Sequence, residues 1–99
     1  METQIRQGDI LFTLVDALPA LDLEASESDI VAEGEVTGHA HRLVDGVVYT
    51  NALGAMYLQC IKAGQVVHEE HKTVSLPAGV WQVTRQREYT PEETRMVWD

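Results

Sequence analysis

A chain of 99 residues, 44% of them hydrophobic, has the length and apolar content for one folded domain spanning 1–99 and no room for a second core. Its 16 Asp and Glu against 7 Lys and Arg leave a formal charge of −9, which excludes a general nucleic-acid platform, because such platforms gain most of their affinity by neutralising phosphates with basic side chains. Cys60 is the single cysteine, so an intrachain disulfide and a cysteine-rich zinc ribbon are excluded too.

The start, Met1-Glu2-Thr3-Gln4, is polar and lacks the basic residues and apolar stretch of a signal peptide. No apolar run reaches the ~18 residues that a membrane-spanning helix needs. The expectation is a soluble cytoplasmic protein with no membrane partner. Asp9-Ile10-Leu11-Phe12-Thr13-Leu14-Val15 follows Gln7-Gly8, and a short β-prone run after a glycine predicts a strand buried on at least one face. Residues 16–28 change character: Pro19, several alanines and four acids, Asp16, Asp22, Glu24 and Glu27, predict a loop with one helical turn. Gly34, between residues 30–34 and 35–37, suits a bulged or broken strand.

Residues 39–44 alternate into Asp45-Gly46, a strong hairpin signal, with Val47-Val48-Tyr49-Thr50 as the returning strand. Further strands are predicted over 55–61, 65–68, 73–76 and 80–87, with Lys62-Ala63-Gly64 and Pro77-Ala78-Gly79 as turns. Thr90 as N-cap, Pro91 at the first helical position and Glu92 and Glu93 near the positive end of the dipole predict a short C-terminal helix. Many short strands with glycine and proline turns imply an all-β domain, a small antiparallel barrel or sandwich.

All four histidines fall in two tight pairs, Gly38-His39-Ala40-His41 and His68-Glu69-Glu70-His71. Imidazole is the commonest side-chain metal ligand. Residues i and i+2 on a strand share a face, so His39 and His41 can reach one ion without bending the chain. Residues i and i+3 meet on a helical turn or across the bend at a strand end, which would bring His68 and His71 together. If the pairs converge, four imidazoles could saturate a structural zinc, whereas three with an open position would suit catalytic zinc, iron, manganese or nickel. Glu35, Glu69 or Glu70 could add a carboxylate or fix a ring tautomer.

This layout resembles the cupin superfamily, compact β-barrels that hold a metal by a His-x-His pair and a later histidine. The stretch Leu76-Pro77-Ala78-Gly79-Val80-Trp81 is similar to the Pro-x-Gly turn before a late cupin strand. Two features depart from the pattern. After His41 the chain reads Arg42-Leu43-Val44-Asp45 rather than offering a glutamate, and His68 and His71 precede the Pro-x-Gly turn instead of following it. A fuller resemblance carries Arg6-Gln7-Gly8-Asp9, residues 34–41, His68-Glu69-Glu70-His71, Leu76-Pro77-Ala78-Gly79 and Arg85-Gln86-Arg87-Glu88-Tyr89. These motifs look like those of a family of small uncharacterised bacterial proteins, and they imply a self-contained unit without implying a reaction.

Three functions follow as expectations. The first is a metal-binding β-domain with His39, His41, His68 and His71 as ligands to a divalent ion, extended to an enzyme on a small molecule if one position is open; its candidate catalytic groups are these four histidines and Glu70. The second is a metal-independent phosphoesterase or nuclease in which two histidines act as acid and base, Arg42, Arg85 or Arg87 holds the anion and Thr37 assists. The third is a non-catalytic interaction module or homodimer formed through open strand edges, with Trp81, Trp98 and Tyr89 at the interface, although Trp81 lies in an apolar strand and fits a core better.

Overall fold

The computed structural model describes residues 3–33 and 38–85. Ten strands follow one another: β1 (Gln4–Gln7), β2 (Ile10–Val15), β3 (Glu24–Ala25), β4 (Ile30–Glu33), β5 (Ala40–Val44), β6 (Val47–Thr50), β7 (Met56–Cys60), β8 (Gly64–Val67), β9 (Val74–Leu76) and β10 (Gly79–Arg85). They form two antiparallel sheets, one ordered β1-β2-β10-β7-β6-β3 and the other β4-β5-β8-β9. The molecule is therefore all-β among the described residues. Its two sheets do not close into a barrel.

Alternation explains the layering. Ile10 and Phe12 on β2, Leu58 and Cys60 on β7, and Trp81 on β10 are buried from the first sheet, and they share one core with Val31, Leu43, Val66 and Leu76 from the second. Trp81 sits opposite Leu14 on β2 and Leu58 on β7, fully buried, and its indole N–H donates to the Pro77 carbonyl at 2.9 Å. A buried indole with its only donor satisfied is a core residue and offers nothing to an interface.

The chain changes sheet repeatedly, and one such change corrects an expectation. Asp45-Gly46 does not close a hairpin, because β5 belongs to the second sheet and β6 to the first. Leu43 and Val48 on either side of the turn are both buried in the shared core, which a corner between facing sheets permits. Gly46 is needed for closeness: a Cβ there would stand 2.8 Å from Leu43 Cδ2 and 3.0 Å from the Gln59 carbonyl.

Residues 16–28 hold the two-residue strand β3 and no helical turn. Ahead of the strand expected from Asp9 lies β1, for which no strand was expected, paired along its whole length with β2. A register shift lies between Ile30 and Ala32, while the irregularity expected at Gly34 and the short helix expected from Pro91 lie outside the described residues. Among those described, no helix is long and apolar enough to cross a membrane.

Candidate functional site

The true hairpins are β1–β2, β4–β5, β6–β7 and β8–β9. Parts of three of their connections gather at one end with the tail of β10: Gly8-Asp9, Gly38-His39 and residues 68–73. Strand register supplies the first level of organisation. The β5–β8 ladder pairs Leu43 with Val66 and Arg42 with Val67, and one further step sets His41 across from His68. Beyond the ladder the Ala40 N–H meets the Glu69 side chain, which keeps the two segments side by side.

The side chains follow that register. The rings of His41 and His68 are 4.4 Å apart between centroids, His68 and His71 4.6 Å, and His41 and His71 5.8 Å with nearly parallel planes. These three form a triangle at the seam between the sheets. His39 stands beyond it, 5.9 Å from His68 and edge-on, with Nδ1 3.6 Å from Glu70 Oε2. That Nδ1 is buried without a hydrogen-bond partner. The two motifs therefore share one site, with His39 at its margin.

His41 is the anchor. Its side chain is only 2% exposed, and burial, followed by the neighbouring His68, pushes its pKa down to about 4, against the pull of Asp9 in the other direction. The ring is neutral at neutral pH, and a neutral imidazole carries one N–H and one lone pair. Gln7 decides which nitrogen has which. Its Nε2 donates to the carbonyls of Val66 and Lys72, both at 2.8 Å, and carbonyls only accept. The amide oxygen must then face His41 Nδ1, 2.7 Å away, as an acceptor. Nδ1 carries the proton, and Nε2 is left as a lone pair.

Asp9 lies on that side, with Oδ1 4.0 Å from His41 Nε2. Its other oxygen accepts from Arg85 Nε at 3.0 Å, and the same guanidinium donates to the Glu33 carbonyl. Glu69 Oε1 accepts from the Ala40 backbone N–H at 2.9 Å, and that bond, with its own backbone N–H next, holds the Glu69 carboxyl below the usual range. His68 is set the opposite way to His41. The Glu70 N–H donates to His68 Nδ1 at 3.0 Å, so a neutral His68 keeps its proton on Nε2. His71 leans on the β1–β2 turn, its Nε2 close enough to Gly8 that a Cβ there would lie 2.7 Å away.

The other predicted residues divide. Arg42 turns to Asp29, with NH1 3.4 Å from Oδ1, whereas Arg85 stays at the cluster through its bond to Asp9. Glu35, Thr37, Arg87, Tyr89 and Trp98 lie outside the described residues. Two open depressions, of about 380 and 450 Å³, occur elsewhere and contain none of the histidines. Among the described residues no three His, Cys, Asp or Glu side chains are already drawn to metal-holding spacing.

Gln7 and Asp9 are the participants that sequence reasoning missed. The signal was Gly8-Asp9, a two-residue hairpin with glycine first, which the φ of +62° at Gly8 satisfies. Residues 6–86 match the model of a domain of unknown function (DUF8820). No curated protein and no solved structure matches the chain.

Proposed function

For a chain that belongs to the DUF8820 family, a domain of unknown function, we propose a role from the side chains themselves: binding of one divalent transition-metal ion at the histidine cluster. The observation that carries this reading is the lock on His41. Gln7 leaves its Nε2 as a neutral lone pair 4.0 Å from Asp9 on a ring neighboured by His68 and His71, which is the state a metal ligand must have. His39, His41, His68 and His71 form the ligand pool, and imidazole-rich donors suit zinc, iron, nickel or, with a carboxylate, manganese.

The ligands are not equally ready. His68 can ligate through Nε2 only by moving its proton to Nδ1 and giving up the Glu70 N–H, a bond worth about 1 kcal/mol. His39 lies outside the triangle and beside Glu70, where the two could move a proton for a small molecule at an open position. That arrangement supports a metal-dependent enzyme over a saturated structural site. A His-x-His pair facing histidines that follow a later strand, β8, is the cupin-like element of this reading, which we place in a cytoplasmic setting. Elemental analysis of protein purified without an affinity tag tests it: about one equivalent of metal, lost in His41→Ala, is expected. No stoichiometric metal in either protein refutes it.

One observation favours a second reading. His41 presents an accepting Nε2 beside His68, and with His68 in its protonated form the two would be a base and an acid of opposite protonation that need no metal. Arg42 is engaged with Asp29 away from the cluster, and Arg85, although beside it, is taken up by Asp9, which occupies two expected clamps for a phosphate. Hydrolytic activity that persists in strong chelator would select this reading.

A further inference from the structure

We propose that Asp9 is an oxygen ligand of the same ion, so that the site is a mixed imidazole and carboxylate centre bridging the two sheets. The inference rests on the metal-binding reading and deepens it, starting from a mismatch in hydrogen-bonding character. Gln7 denies His41 Nε2 a proton, and a carboxylate oxygen has none to offer. Asp9 Oδ1 and His41 Nε2 thus face each other across 4.0 Å as two acceptors, with no hydrogen bond open to them. A cation between them satisfies both.

The separation fits. An imidazole–metal bond and a carboxylate–metal bond are each about 2.0–2.2 Å, which at a tetrahedral angle sets the two atoms roughly 3.4 Å apart, so a turn of the Asp9 carboxylate that brings Oδ1 in by about 0.6 Å completes the geometry without backbone movement. The remaining oxygen is already held. Arg85 Nε binds Oδ2 at 3.0 Å while its NH2 is anchored on the Glu33 carbonyl at 2.6 Å, which leaves Oδ1 as the oxygen directed at His41. Metal-bound carboxylates are commonly oriented by such an outer partner. His71 completes the convergence, because its ring packs on Gly8, the residue next to Asp9, and stacks on His41.

A carboxylate in the set favours zinc, iron(II) or manganese over copper(I), which prefers sulfur. It also ties the β1–β2 turn of the first sheet to β5 of the second, so the bound ion should stiffen the seam.

Cobalt(II) titration of the untagged full chain tests the proposal, followed by visible absorption and by competition with a chelator of known affinity. Asp9→Asn is expected to weaken cobalt binding at least tenfold and to alter the absorption bands. A measurement on the unaltered protein guards against a variant that fails to fold: its Asp9 carboxyl carbon resonance should shift or broaden on cobalt addition, while that of Asp29 stays in place. Wild-type affinity and bands in Asp9→Asn, or an Asp9 resonance that does not respond, overturns the ligand assignment alone. Absence of saturable cobalt binding by the unaltered protein overturns the metal reading and this inference with it.

Discussion

Glu69 Oε1 accepts a 2.9 Å hydrogen bond from the backbone N–H of Ala40. Ala40 stands between His39 and His41, and Glu69 follows His68, so one bond ties the two histidine pairs together at their centres. Glu69→Ala removes the tie while leaving every imidazole in place. Metal affinity should fall several-fold with little change in the unfolding midpoint, since the carboxylate is exposed. Glu69→Gln keeps an amide oxygen able to accept and should restore most of the affinity. Isothermal titration with zinc on the three proteins separates these outcomes, and equal affinities would show that the bond has no bearing on the site.

Gln7 has a sharper signature, because its amide connects β8, the 68–73 loop and His41 at once. Gln7→Leu leaves buried polar partners unpaired, at a cost of about 3 kcal/mol in denaturant unfolding. It also frees the His41 ring to carry its proton on either nitrogen. Long-range proton–nitrogen NMR of the metal-free protein should report Nδ1–H alone in the unaltered chain and a mixture in the variant, with metal binding weakened about 10- to 100-fold. A His41 proton found on Nε2 in the unaltered chain would reverse the assignment.

Protonation of His41 makes stability depend on pH in a predictable direction. Burial lowers its folded pKa from 6.5 to about 4, so between these values the unfolded chain binds the proton and the folded one does not. The metal-free protein should therefore keep its full stability above pH 6.5 and lose it progressively toward pH 4, by at most about 3 kcal/mol from this group. Equilibrium unfolding in urea across that range, compared with His41→Gln, checks it. A variant profile as steep as the original would place the dependence in other groups.

How far this site was legible in the sequence depends on what kind of interaction placed each residue. Strand spans such as Val47–Thr50 and Met56–Cys60 lay close to expectation because alternation and turn residues are local properties. The pairing of β5 with β8 is a tertiary choice, so spacing showed two histidine pairs without showing that His41 faces His68. Asp45-Gly46 misled for the same reason: turn chemistry fixes a reversal, and only core packing decides whether the next strand joins the same sheet. Gln7 was invisible because a glutamine on a short polar strand has no pattern that announces a buried partner. The amide reaches the cluster through three long-range bonds, each more than thirty residues away in sequence.

The closest test of how the β1–β2 turn shapes the site uses two glycines with the same backbone requirement. Gly8 and Gly54 both have positive φ, +62° and +90°, so alanine at either incurs the left-handed penalty of about 1–2 kcal/mol. Their surroundings differ. A Cβ at Gly54 meets nothing within 4 Å, whereas at Gly8 it would stand 2.7 Å from His71 Nε2 and 3.2 Å from two ring carbons. The ring is at the end of an exposed side chain and can swing away, so the added methyl should move His71 rather than unfold the hairpin. Gly8→Ala and Gly54→Ala are then expected to lose similar stability in thermal unfolding without metal. Only Gly8→Ala should also lose metal affinity, by about tenfold for a displaced ligand. If both variants bind zinc as the unaltered protein does, His71 is not a ligand, and the centre rests on His41, His68 and Asp9.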